Sequence, residues 1–95
     1  MITVLTTYRV SKGQESAFEG AFSQLQKQVI AEESGTVAFQ LYRAADQSKS
    51  YKVIAHFRDE AAMASHNAGP YLKSSAKLLF SACGVPPEAE IFQTV

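Results

Sequence analysis

The chain has 95 residues, which are enough for one hydrophobic core and too few for two, so we expect a single domain over residues 1–95. Nine basic side chains balance nine acidic ones, so no net charge favours binding to nucleic acid or to a membrane surface. The lone Cys83 excludes an internal disulfide, and no His/Cys cluster has the spacing of a metal site.

The first predicted element is a strand over residues 2–10, where β-branched and aromatic residues predominate. Alternation places Thr6 and Tyr8 on one face of this strand, and Leu5 and Thr7 on the other. The start of the chain lacks the pattern of a signal peptide, and no apolar run approaches the ~20 residues that cross a bilayer. We therefore expect a soluble, unprocessed protein of the cytoplasm.

A helix is predicted next, because apolar residues recur at steps of three and four. The predicted apolar stripe consists of Ala17, Phe18, Ala21, Phe22, Leu25, Val29 and Ile30. Ser11 and Gln14 have the spacing of a capping box at the start of this helix. Gly35 is predicted to end it, because glycine most easily adopts the left-handed conformation of a helix terminus.

Two strands follow, over residues 36–43 and 51–58, with a polar hairpin loop over residues 45–49 between them. Phe39 and Phe57 are placed on the same side of the predicted sheet as Thr6 and Tyr8.

The last third of the chain is predicted to contain a short helix, a longer helix and a strand. Asp59 is a candidate cap for a helix that continues through Asn67, and Gly69-Pro70 ends it. The longer helix covers residues 70–82, and the final strand covers residues 88–95. The residues predicted to face inward from the longer helix are Tyr71, Leu72, Ser75, Leu78 and Leu79.

The order β-α-β-β-α-β predicts an α+β fold of the ferredoxin-like type, a four-stranded antiparallel sheet with helices on one face. The other face mixes apolar and polar residues, which suits an interface between two copies of the chain. Its members are Leu5, Thr7, Ala38, Gln40, Tyr42, Ile54 and His56. We expect a homodimer built on this face; the alternative is a merely solvated sheet.

Three segments resemble the antibiotic-biosynthesis monooxygenase family: RVSKGQE at 9–15, EESGT at 32–36 and FRDEAAMASH at 57–66. Their glycines and the terminal histidine fall in the order and spacing of that family, and the resemblance covers nearly the whole chain. It implies a dimeric α+β barrel with a pocket in each subunit between sheet and helices. Members include small oxygenases that act on polycyclic phenols and quinols without metal or flavin, haem-degrading enzymes, and an isomerase of a sugar phosphate.

The haem-degrading branch of the family carries Asn, Trp and a haem-ligating His at positions that match Thr6, Phe57 and Ala76 in this sequence. All three residues differ here. The resemblance therefore implies a protein that does not bind haem as those enzymes do, and we expect no metal, haem or flavin cofactor.

The same resemblance implies a small-molecule substrate of the aromatic class that reacts with molecular oxygen. Such an oxygenase needs a base, and His66 is the best candidate because imidazole ordinarily titrates near neutral pH. Tyr8 is the second candidate catalytic residue. The predicted substrate-binding residues are Thr6, Phe22, Phe39, Phe57, Tyr71 and Leu72. For His66 the alternative is a helix-terminal residue that satisfies the last carbonyls.

Two other functions stay open from the sequence. An isomerase of a sugar phosphate would need cationic side chains in the pocket, and Arg43 is the strand cation on the helix-facing side. A non-catalytic ligand-binding or dimerisation module would have a filled core with His66 turned to water. An enzyme would instead have an enclosed pocket that contains His66 and a tyrosine.

Overall fold

The secondary structure follows the predicted order, with helices packed on one face of a sheet. A computed structural model describes residues 1–46 and 49–95 of the chain. In chain order the elements are β1 (Ile2–Arg9), α1 (Glu15–Glu32), β2 (Thr36–Arg43), β3 (Ser50–Phe57), α2 (Glu60–Ala68), α3 (Pro70–Ser81) and β4 (Glu88–Gln93). No helix within the described ranges has the length and hydropathy needed to cross a membrane.

The sheet has the strand order β2-β3-β1-β4, and every neighbouring pair is antiparallel. This confirms the ferredoxin-like fold predicted from the sequence. Gly69-Pro70 divides the second helical region into α2 and α3, because proline suits the first position of a new helix. Of the predicted hairpin loop at 45–49, Gln47 and Ser48 lie outside the described residues.

Helix α1 contacts the core through a narrower stripe than the sequence predicted. Its buried residues are Phe18, Phe22, Leu25 and Val29. The prediction was wrong for Ala17, which is exposed, and for Ile30, which is 65% exposed, because each lies about 100° around the helix from a buried neighbour, Phe18 or Val29. In α3 Leu79 is buried, whereas Leu78, predicted to face inward, is 62% exposed for the same geometric reason.

The predicted capping box at the start of α1 is absent from the described structure. The helix begins at Glu15, and the side chain of its N-cap, Gln14, makes no capping hydrogen bond. Instead Gly13 adopts φ +86°, and its backbone N–H donates to Glu15 Oε1 at 2.7 Å. The predicted cap of α2 is confirmed, because Asp59 Oδ1 accepts a hydrogen bond from the backbone N–H of Ala62 at 2.8 Å.

Gly35 has a role that differs from the predicted left-handed helix end. Among the residues that the structure describes, positive φ occurs at Gly13 and not at Gly35. A Cβ atom added to Gly35 would lie 2.6 Å from Cβ of Ala62 in α2. The absence of a side chain therefore allows α2 to approach the turn between α1 and β2 closely.

The sheet face that points away from the helices is partly polar. Leu5 and Ile54 are half-buried neighbours on it, in adjacent strands. Thr3 Oγ1 is hydrogen-bonded to His56 Nδ1 at 2.8 Å, and Lys52 Nζ donates to Thr7 Oγ1 at 2.7 Å. This is the face on which the homodimer is predicted.

Candidate functional site

A cavity of about 310 Å³ lies between the sheet and the helices. This volume is at the lower end of the range for small-molecule sites. Apolar and aromatic side chains form most of the lining, and no charged side chain among the described residues belongs to it. The polar lining residues are Thr6, Tyr8, His66 and Asn67.

The fold brings nearly all of the predicted site residues to this cavity. The predicted residues that line it are Thr6, Tyr8, Phe22, Phe39, Phe57, His66 and Leu72. Tyr71 is not among the lining residues; it is half-buried and packs against the core from α3. The roles of the lining residues in binding or catalysis stay predictions.

His66 lies in the last turn of α2 with its side chain only 6% exposed. Its ring packs against Phe39 and Phe57, with ring centroids 5.3 and 5.1 Å away. Nδ1 of the ring is 2.7 Å from Oε1 of Glu33. The carbonyl of His66 accepts a hydrogen bond from the backbone of Gly69. The ring is therefore bound to a carboxylate and enclosed, which differs from the alternative of a histidine that serves the helix terminus.

Glu33 is a residue of the site that the sequence did not indicate. It is the C-cap of α1, and its backbone N–H donates to the carbonyl of Val29. Its carboxylate accepts a hydrogen bond from Thr36 Oγ1 at 2.9 Å, as well as binding His66. The sequence indicated only the end of a helix here, because 33 positions separate Glu33 from His66 along the chain.

The second ring nitrogen of His66, Nε2, forms no hydrogen bond with another described residue. In residues 1–46 and 49–95 no buried side-chain nitrogen or oxygen lacks a hydrogen-bond partner. Since Nδ1 is bound to Glu33 and no protein partner is found for Nε2, Nε2 retains access to open space. His66 is a lining residue of the cavity, and we infer that Nε2 faces it.

Tyr8 lies toward the other end of the cavity from His66. The ring of His66 contacts Phe39, which is in register with Ala55 and, across β3, with Val4. Tyr8 is four residues further along β1 than Val4, a distance of about 13 Å in a strand. A ligand in the cavity would thus meet the imidazole and the phenol at different ends.

Burial, with a smaller contribution from Cys83, raises the pKa of Tyr8 to about 12. The phenol is therefore protonated at neutral pH and available as a hydrogen-bond donor. Thr6 places a second hydroxyl on the same face of β1, two residues nearer to Val4. Thr6 and Tyr8 are thus the hydroxyl-bearing residues of the described lining.

The rim of the cavity includes residues that the sequence did not associate with the site. Phe80 of α3 and Ile91 of β4 line it and are 50% and 62% exposed. Pro87 and Ala89 continue the lining along the same edge of the sheet. Strand β4 was predicted over residues 88–95 and ends at Gln93; its contribution to the lining, which follows from its place beside β1, was missed.

Comparison with known proteins agrees with this fold. The family model described as antibiotic biosynthesis monooxygenase matches residues 1–78. A structure from Caulobacter crescentus CB15, provisionally named for the same family, is 26% identical, with a TM-score of 0.94 over 99% of this chain and 89% of that one. No curated protein is a significant sequence match.

Two further structures are similar. SnoaB from Streptomyces nogalater, a cofactor-independent oxygenase solved as a mutant, is 26% identical, with a TM-score of 0.85 over 98% of this chain and 91% of that one. A conserved protein from Methanosarcina mazei Go1 is 17% identical, with a TM-score of 0.94 over 99% and 92% of the two chains, and so supports the fold alone.

Proposed function

Because this chain belongs to the antibiotic biosynthesis monooxygenase family, we propose that it is a monooxygenase of a small phenolic or quinone-like molecule bound in the cavity. One observation carries the proposal. An enclosed imidazole is held by a carboxylate at Nδ1, and its residue lines an apolar cavity that Thr6 and Tyr8 also line. This is the arrangement expected of an enzyme rather than of a dimerisation module with a filled core.

The proposed reaction begins when Nε2 of His66 takes the proton of a phenolic hydroxyl. The electron-rich anion transfers an electron to O2, and recombination forms a carbon–oxygen bond at the ring C–H carbon opposite the phenolic oxygen. The resulting peroxide takes up a proton from solvent, and Nε2 releases to solvent the proton that it took. Loss of water then leaves a quinone carbonyl. One O2 is consumed, one of its atoms enters the product and the other leaves as water, so the substrate supplies all the electrons.

The lining of the cavity favours a neutral aromatic substrate over a sugar phosphate. A phosphate would need a cationic partner, and the lining residues include no lysine or arginine within the described chain. Arg43, the cation named for the isomerase alternative, is 3.8 Å from Glu19 with its side chain 59% exposed, and it does not line the cavity. Stacking on Phe39 and Phe57 would suit a planar ring.

We propose that the reaction needs no metal, haem or flavin. The match to the haem-degrading branch places Ala76 where those enzymes have their iron ligand, and Ala76 lines the cavity. A methyl group cannot ligate iron, so this lining does not fit haem held in that way. The similarity to SnoaB, named as a cofactor-independent oxygenase, also supports the proposal.

We also propose that the protein is a homodimer through the sheet face that contains Leu5, Thr7, Gln40, Ile54 and His56. The half-buried apolar side chains Leu5 and Ile54 lie beside polar neighbours there. Such a mixture is ordinary for an interface between two copies of a small protein.

Oxygen uptake with a panel of anthrols and quinols tests the function. We expect the wild type to consume O2 with at least one of them, and His66→Ala to lower kcat by about 10²–10⁴-fold. His56→Ala is the matched control, because His56 lies on the opposite sheet face; it should retain activity when light scattering shows that it keeps the oligomeric state of the wild type. Unchanged turnover in His66→Ala would remove His66 as the base. Binding without O2 uptake for every compound would favour the non-catalytic alternative.

A further inference from the structure

We propose that Glu33 is a positioning residue that fixes the tautomer of His66 and thereby makes Nε2 the base. The inference rests on the proposed function and adds to it a residue at the end of a different helix. The carboxylate does not reach the substrate in this role; it acts through the imidazole.

The hydrogen bond between the two residues determines where the proton of a neutral imidazole lies. Glu33 Oε1 is 2.7 Å from His66 Nδ1, and the side chains are only 15% and 6% exposed. An ionised carboxylate accepts hydrogen bonds and donates none, so Nδ1 must carry the hydrogen. The lone pair of the neutral ring is then on Nε2, the nitrogen that faces the cavity.

Glu33 is held in place independently of the histidine. The backbone of Glu33 is fixed at the end of α1 by its N–H to the carbonyl of Val29, and its own carbonyl accepts from the N–H of Thr36 at 3.1 Å. The hydroxyl of Thr36 donates to the same carboxylate oxygen that binds His66. The acceptor is therefore in position before a ligand enters, which reduces the reorganisation that proton transfer requires.

The same carboxylate compensates the charge that forms during the reaction. When Nε2 takes a proton from the substrate, the ring becomes an imidazolium between Phe39 and Phe57. An unpaired cation in such surroundings is costly, whereas a carboxylate at hydrogen-bond distance offsets much of the cost. The proton on Nδ1 stays on Nδ1, so Glu33 neither gains nor loses one.

The tautomer can be measured directly, without substrate, by nitrogen NMR of the imidazole rings. The chain has two histidines, so the spectrum is simple and His56, bound to Thr3, serves as an internal control. In the wild type we expect the neutral ring of His66 to carry its hydrogen on Nδ1. In Glu33→Gln and Glu33→Ala a substantial share should carry it on Nε2, with the signals of His56 unchanged. Glu32→Gln, which removes the same charge one residue away, should resemble the wild type.

Steady-state kinetics of the same variants provide a second test. Glu33→Gln should lower kcat by about tenfold or more with little change in KM, but by less than the loss in His66→Ala. Glu33→Asp, which keeps the charge, should restore part of the activity, and Glu32→Gln should retain it.

The NMR and kinetic measurements together distinguish a failure of this inference from a failure of the proposed function. An unchanged His66 tautomer in folded Glu33→Ala overturns the inference whatever the enzyme does. Full activity of Glu33→Gln beside an inactive His66→Ala also overturns it and leaves the proposed function standing. A changed tautomer in a protein inactive on every substrate supports the placement of Glu33 and contradicts the proposed function alone.

Discussion

Replacing Gly35 by alanine should destabilise the protein and displace helix α2. The new Cβ would lie 2.6 Å from Cβ of Ala62, whereas carbon atoms in favourable contact are about 3.5–4.0 Å apart. Helix α2 must then move by roughly 1 Å. Overpacking of this kind costs about 1–3 kcal/mol in the free energy of unfolding. Because α2 carries His66, the shift should also lengthen its 2.7 Å contact with Glu33.

Gly20→Ala is the matched control for this prediction. Gly20 lies inside α1, and a Cβ added there meets no atom within 4 Å. The same substitution should therefore stabilise the protein by about 0.5–1 kcal/mol, since glycine is unfavourable in a helix interior. Urea unfolding of the two variants gives the comparison. If Gly35→Ala stabilises as much as Gly20→Ala, the close approach of α2 to this turn is not as described.

Three further predictions concern the sheet face, the cavity and the buried phenol. Ile54→Asp should convert the expected dimer to monomer in light scattering, because it would bury an unpaired carboxylate in the interface at a cost of several kcal/mol. Ile30→Asp, on the exposed side of α1, should leave the dimer intact. Ala76→Leu should fill part of the cavity of about 310 Å³ and raise KM tenfold or more, while Ala64→Leu on the exposed side of α2 leaves KM unchanged. Burial raises the pKa of the Tyr8 phenol from 10.0 to about 12, so the unfolded chain loses the phenolic proton at a lower pH than the folded protein does. The free energy of unfolding should therefore be highest below pH 10.0 and fall by up to about 2–3 kcal/mol as the pH rises toward 12. Tyr8→Phe should show a smaller fall.

The strands and the faces of the sheet could be predicted because their signal is local. The alternation in β1 alone placed Thr6 and Tyr8 toward the helices, and both residues line the cavity between sheet and helices. The cap at Asp59 was equally local, since side chain and backbone donor are three residues apart. The prediction of a capping box from Ser11 and Gln14 failed because the turn at the left-handed Gly13 makes Gln14 the N-cap of α1.

The pairing of Glu33 with His66 depends on a tertiary contact that no local sequence pattern contains. The sequence indicated His66 as a candidate base but gave no reason to connect it with Glu33 at the end of another helix. The two residues meet because α2 packs closely on Gly35. The sequence had instead suggested that this glycine serves a left-handed helix end. The same limit applied to Ile91, whose contribution to the cavity follows from the pairing of β4 with β1.

Mass spectrometry of the product formed under isotopically labelled O2 tests whether the protein is a monooxygenase with His66 as its base, once a substrate is found by oxygen uptake. If His66 is the base of a monooxygenase, the wild-type product contains one oxygen atom from O2, with the second recovered in water. His66→Ala should form this product about 10²–10⁴-fold more slowly. A product whose new oxygen comes from solvent, or a product without any new oxygen, would contradict the account.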